Sequence, residues 1–532
     1  MQTTMRRDTH LDHLRSGERF DFLIVGGGAT GLGAAVEAAS RGWRVALIER
    51  GDFAQGTSSR STKLVHGGVR YLKQGDVALV RDALRERGRL LRNAPHLVSD
   101  MAFVIPSYSR WNRFFYGTGL AVYDRLAGKL GMGASRRLGR EETLRLLPTV
   151  KPEGLVGGVL YHDGRFDDAR LAINLARTAV NHGAVVANHC ACAGFVKEGG
   201  KVAGVRARDA ESGAEFEVRA RVVVNSTGVF VDELRRMDDP AVRPVLSVSQ
   251  GVHLVLPREF LPGDAAMMVP KTEDGRVFFA VPWHGRVVAG TTDVPMPGAS
   301  AEPRALAEER EFLLAHAAKY LRRPPREEDV LSVFAGQRPL VRAAHAGSTA
   351  KLSRDHTILV GESGLVTVTG GKWTTYRKMG EDVVNQAEAV AGLERRASVT
   401  RDLRIHGWAE KANTDKADVF AVYGADGEGI RALERENASL AELLHPALPY
   451  RRSEVVWQAR HEMARSVEDV LSRRTRALLL DARASIEAAS AVAELLAAEL
   501  GRDGEWRAAQ TAAYEALARG YVFTDSASQA SA

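Results

Sequence analysis

The stretch SSRSTKLVHGGVRYL, Ser58 to Leu72, gathers Arg60, Lys63, His66 and Arg70 about two adjacent glycines. Cations at this density suit an anionic ligand, because guanidinium forks bind phosphate or carboxylate and an imidazole exchanges a proton near neutral pH. Taken alone, each has a plainer reading. A histidine beside glycines is ordinarily a satisfied loop residue, and an arginine after a loop is ordinarily solvated or ion-paired.

The segment that must position this loop precedes it. FDFLIVGGGATGLGAAVEAASRGWRVALIER, Phe20 to Arg50, predicts a strand, a glycine turn, an alanine-rich helix from about Thr30 to Ser40, and a second strand. Gly26, Gly28 and Gly31 form GxGxxG, which supplies a tight turn, close backbone approach to a pyrophosphate and close helix-to-strand packing. The helix N-terminus adds amide donors. Glu49, about twenty residues on, is placed to accept hydrogen bonds from ribose hydroxyls, and its charge disfavours NADP. Polar and cationic groups then follow directly, with no further βαβ unit between. That arrangement suits a flavin.

VGGGATGLG, ALIER, TSSRSTKLVHGGVRYL, VVVNSTGVFVDEL, GTTD, FAGQRPL and TGGKWTTYRKMGED occur in this order between about Phe20 and Asp382. The set resembles the FAD-dependent glycerol-3-phosphate dehydrogenases, within the D-amino-acid-oxidase-like flavoprotein superfamily. KLVHGG-R-YL and GGKWTTYR are specific to the glycerophosphate branch. The resemblance implies a discontinuous α/β FAD-binding Rossmann-like domain, a mixed β-sheet substrate domain and an all-α C-terminal domain. It implies noncovalent FAD, sn-glycerol 3-phosphate as substrate, dihydroxyacetone phosphate as product and a quinone as electron acceptor. Oxygen as acceptor, or another oxidase of the superfamily, is the alternative.

Under that resemblance His66, Arg70, Arg338 and Lys372 are the expected catalytic residues. Arg70, Tyr71, Arg338, Lys372 and His253 are expected to bind substrate, with His66 or Lys372 as the base. His253 points either to the site or into the core. The expected flavin contacts are Gly26, Gly28, Gly31 and Glu49; Thr57, Ser58, Ser59, Lys63, His66, Gly67 and Gly68; Thr227 and Gly228; and Gly370, Gly371, Lys372, Trp373 and Thr374. Lys63 either orients the loop or contacts flavin phosphate. No metal site is expected.

The wider chain is compatible with this reading. Its 532 residues favour several domains, and 45% hydrophobic with 26% charged residues is ordinary globular content. Lysine and arginine exceed the acids by seven, which favours anionic partners, although no nucleic-acid module is visible and none is expected as a partner. Cys190 and Cys192 read as reduced, structural thiols. The N-terminus carries no signal-peptide pattern, and no apolar run reaches the ~18 residues of a membrane span. Trp111, Phe114, Phe115 and Tyr116 lie among Arg110, Arg113, Arg125 and Lys129, a mixture suited to an anionic lipid interface or to a buried aromatic helix. A cytoplasmic location, peripheral on the cytoplasmic membrane face, is therefore expected, and a homodimer is an open option.

The expected organisation is an extension over 1–18, the FAD-binding domain over 19–80, 150–245 and 335–390, and the substrate or cap domain over 81–149 and 246–334. A helical domain follows over 394–522, with a disordered tail at 523–532. The basic pairs Arg451-Arg452 and Arg473-Arg474 read as solvated helix faces, or as contacts with a membrane or partner.

Overall fold

The computed structural model of the chain describes residues 5–68, 77–272, 276–342, 356–410 and 418–523. Arg70, Tyr71 and the tail from 524 onward lie outside the described residues.

Among the described residues two sheets organise the fold. The first has eight strands and centres on Arg19–Val25, where every residue after Arg19 is buried. A strand buried along its length needs cover on both faces and partners on both edges, the setting of a parallel sheet. It pairs in parallel with Val45–Ile48 and with Glu215–Asn225. Val25 lies opposite both Ile48 and Asn225, so the turns beginning at Gly26, Glu49 and Ser226 leave from one edge of the sheet. Val366–Gly370 runs parallel to Glu215–Asn225 and delivers the Gly370-Gly371 turn to that edge too. The helices Ala29–Ser40, Asp168–Asn181 and Tyr376–Val390 pack on this sheet, and their small residues allow the close approach.

The second sheet has ten strands, with Leu246–Pro257 as its hub. This strand pairs antiparallel with Arg286–Gly290, Val294–Met296 and Ser332–Val341. Register sets Ser249 opposite Arg338, Gly251 opposite Gly336 and His253 opposite Phe334. Residues two apart share a sheet face, so Arg338 and His253 are presented on the same side. Gly157–Phe166 and Ser332–Val341 belong to this second sheet, although the sequence grouping puts all of the former and most of the latter with the nucleotide unit.

The C-terminal region is helical, including Arg452–His461, Ala489–Leu500 and Gly504–Arg519. Its apolar faces share a core with Val255, Trp283, Val288 and Phe334 of the second sheet. Two sequence expectations are corrected here. Arg473 and Arg474 are not on a solvated face: both are buried and both donate to Asp52, because the turn carrying them is pressed against the nucleotide-binding body. Phe523, assigned to the tail, is buried in the core of the second sheet, where an aromatic ring gains more than it does in water. Among the described residues no helix is long and apolar enough to cross a membrane.

Candidate active site

A cavity of about 560 Å³ lies between the two sheets. Its walls collect Gly26, Gly28 and Glu49 from the first βαβ unit, Thr57 and Ser58 from the following loop, His66 and Gly68 from the Gly-Gly turn, and Thr227 and Gly228 from the third turn. Gly370 to Thr374 close one side, and His253 and Arg338 come from the second sheet.

The glycine turn packs closely against the turn at Ser226. Gly26 has φ +112°, and a Cβ there would sit 2.7 Å from the Ser226 carbonyl oxygen. The helix Ala29–Ser40 starts at Gly28, which has no side chain of its own to cap it; Ser58 Oγ takes the Ala29 amide, and the amides that follow in the first turn form an anion-binding terminus. Glu49 accepts from the Gly27 N–H at 2.6 Å and from the Gly51 N–H at 2.9 Å, which fixes the carboxylate beside the turn. Burial pushes its carboxyl above the usual range, and those two amides oppose the shift. Gly31 is not in the wall; it permits the helix to lie against the Gly26 carbonyl.

Hydrogen bonds sew the motifs together. Ser58 Oγ accepts from Ala29 N–H at 2.9 Å, and the Ser58 carbonyl accepts from Trp373 Nε1 at 2.8 Å. Thr374 Oγ1 accepts from the His66 amide at 3.1 Å and donates to the His66 carbonyl at 3.3 Å. Lys372 is the N-cap of the turn Trp373–Thr375, which leads into the helix Tyr376–Val390.

From the second sheet, Arg338 Nη1 donates to Asp293 Oδ1 at 3.3 Å and Nη2 donates to Thr291 Oγ1 at 3.2 Å. Gly251 leaves the space for this guanidinium, since a Cβ there would collide with Nη2. His253 stacks on Phe334 with ring centroids 4.9 Å apart, and its Nε2 meets Thr62 Oγ1 at 2.9 Å. Burial first, then Arg338 and Lys63, pushes this imidazole well below the ordinary histidine range and keeps it neutral.

Lys63 is the expected flavin contact that the structure relocates. Its side chain is fully buried and absent from the cavity wall; Nζ donates to the Ser59 carbonyl and to Asp168, each at 2.7 Å. Burial draws its pKa down to about 7, with Asp168 opposing the shift and Arg476 adding to it. It orients the loop from behind. Ser59 and Gly67 likewise lie behind the wall. Sequence reading also missed Asp168, Thr62 and Gly251. Gly251 did carry a signal, an isolated glycine inside a strand pattern, which marks close approach by another group.

The glycine cradle, the helix N-terminus beside it and the carboxylate at the end of the second strand fit the pyrophosphate and ribose of FAD, so fold and site together define an FAD-dependent oxidoreductase. The family described as FAD dependent oxidoreductase matches residues 21–377, and the C-terminal domain of alpha-glycerophosphate oxidase matches 368–507. The probable mitochondrial glycerol-3-phosphate dehydrogenase of Caenorhabditis elegans is 38% identical over 542 residues, covering 96% of this chain and 74% of its own. The mitochondrial enzyme of Rattus norvegicus is 38% identical over 527 residues, covering 93% and 72%. The X-ray structure of the glycerol-3-phosphate dehydrogenase from Bacillus halodurans, complexed with FAD, superposes with a TM-score of 0.79 at 28% identity over 98% of this chain and 99% of that one. The chain belongs to the FAD-dependent glycerol-3-phosphate dehydrogenase family.

Proposed function

We propose that the protein oxidises sn-glycerol 3-phosphate to dihydroxyacetone phosphate and passes the electrons to a quinone. The observation that carries this reading is a single cavity whose walls join the dinucleotide cradle to His66, His253, Arg338 and Lys372. When bound, FAD supplies the acceptor for the hydride that leaves C2 of the substrate.

The residues of the chain divide the remaining work. Arg338 offers a forked cation to the phosphate or to the C2 oxygen, and Asp293 and Thr291 fix its plane. Arg70 and Tyr71 are proposed to join it in holding the substrate. His66, with its backbone pinned by Thr374, takes the hydroxyl proton as the ketone forms. His253 is held neutral, so it serves as a hydrogen-bonding wall rather than a second cation. Lys372, at the start of the helical turn, adds positive charge where negative charge develops.

The acceptor reading draws on the helix Arg110–Ala127. Trp111, Phe114 and Phe115 are exposed beside Arg110 and Arg113, a surface suited to the anionic cytoplasmic face of a membrane. The deciding experiment is anaerobic mixing of the flavoprotein with sn-glycerol 3-phosphate while oxidised-flavin absorbance is followed. Bleaching reversed quickly by a quinone and slowly by oxygen is the expected result. Absence of bleaching refutes the substrate, and equally fast return with oxygen refutes the acceptor.

A further inference from the structure

The Gly-Gly turn is held from behind by a buried chain of polar groups. Gly67 N–H donates to Tyr123 Oη at 2.8 Å, and Tyr123 O–H donates to Asp163 Oδ2 at 2.8 Å. Arg87 Nη1 then donates to Asp163 Oδ1 at 2.7 Å and to the His162 carbonyl at 3.2 Å. Tyr123, Asp163 and Arg87 are 1%, 2% and 1% exposed. They come from three separate elements: the helix Arg110–Ala127, the strand Gly157–Phe166 and the helix Val77–Asn93.

Sinking an ion pair and a phenol together adds little net stability, because desolvation offsets their attraction. What the arrangement adds is direction. A phenol has one proton to give, and with Asp163 as its acceptor a lone pair is left for Gly67 N–H. Burial beside Asp163 holds Tyr123 well above the ordinary phenol range, so that proton stays in place. The fit at Gly67 is close: a Cβ there would lie 2.5 Å from Tyr123 Oη and 2.6 Å from Leu84. On the other side of the turn, Thr374 grips the His66 backbone. Tyr123 and Arg87 are not part of the cavity wall, whereas His66, Gly68 and Asp163 are.

We infer that Tyr123 is a positioning residue, fixing the turn His66–Gly68 from behind so that His66 keeps the orientation that proton transfer needs. The inference rests on the proposed role of His66. It assigns the helix Arg110–Ala127 a second duty: the helix that exposes Trp111 and Phe114 on one face touches the reactive turn with the other.

The test is Tyr123→Phe in the full-length holoenzyme, compared with wild type and with Tyr514→Phe. The latter removes a buried hydroxyl bonded to Ser485 in the C-terminal helices. Tyr123→Phe is expected to retain FAD and to reduce its flavin with saturating sn-glycerol 3-phosphate roughly ten- to a hundredfold more slowly, the effect of orphaning one buried amide. KM is expected to change less than about threefold, since ground-state binding is left intact. Backbone hydrogen exchange in the peptide covering residues 64–68 is expected to accelerate. Tyr514→Phe should lower thermal stability while leaving both the reduction rate and that exchange as in wild type. A Tyr123→Phe protein that reduces its flavin at the wild-type rate, or whose exchange in this peptide is unchanged, overturns the inference. If wild type itself is not reduced by sn-glycerol 3-phosphate, the substrate reading falls, and the exchange difference alone decides whether Tyr123 fixes the turn.

Discussion

At the scale of single residues, the site depends on which cations face the ligand and which face the protein. Arg338 reaches the cavity only because Gly251, diagonal to it on the paired strand, has no side chain. Gly251→Ala is therefore expected to displace the guanidinium, at a cost of about 1 to 3 kcal/mol for overpacking. The expected outcome is at least a tenfold rise in KM for sn-glycerol 3-phosphate in steady-state assays, with FAD still bound. An unchanged KM would mean that Arg338 does not hold the substrate. The same distinction explains what was legible. His66, His253, Arg338 and Lys372 each sit in a local motif legible in the sequence, and all four line one cavity. For Lys63 the sequence left loop orientation and flavin contact both open, because its partner, Asp168, is 105 residues away, and no local pattern announces a pairing that only tertiary packing creates.

At the scale of elements, the helix Arg110–Ala127 works on two faces. Leu120 and Tyr123 are buried, whereas Trp111 is 69% exposed and Phe114 54%. Stripping the outer face should therefore leave the inner one intact. A Trp111→Ser, Phe114→Ser double variant is expected to lose most of its binding to vesicles containing anionic lipid in co-sedimentation, while its anaerobic flavin reduction stays within about twofold of wild type. Undiminished vesicle binding would remove this helix from the membrane reading. The first βαβ unit could be read from sequence almost to the residue, since its helix runs Ala29–Ser40 against an expected start near Thr30. The interleaving of the two sheets could not. Gly157–Phe166 and Ser332–Val341 take their sheet from partners far away along the chain, and period-two patterning identifies a strand without naming its neighbour.

At the scale of the whole molecule, the C-terminal helices join the nucleotide-binding body through buried charge as well as apolar packing. Arg170 and Glu462 form two hydrogen bonds, at 2.6 and 2.8 Å, and Arg476 reaches the Ser59 carbonyl and Asp168 at 2.6 and 2.9 Å. Glu454 lies beside this network, and among the described residues no guanidinium is hydrogen-bonded to its carboxyl. It accepts from the Arg451 amide at 2.8 Å and from the Tyr423 hydroxyl at 2.8 Å, and burial pushes its pKa up to about 7. Between its ordinary value of 4.5 and about 7 the folded chain holds a proton there that the unfolded chain has released. Its contribution is thus fully present below the unfolded value and is lost as pH rises through the folded one. Linkage caps the effect at about 3 kcal/mol. Glu454→Gln, neutral throughout, is expected to remove that part of the slope: the stability of the variant relative to wild type should rise between about pH 5 and about pH 8 in denaturant titrations. A difference that stays flat across this range would show that Glu454 is ionised in the folded protein, with Arg170 serving it as well as Glu462.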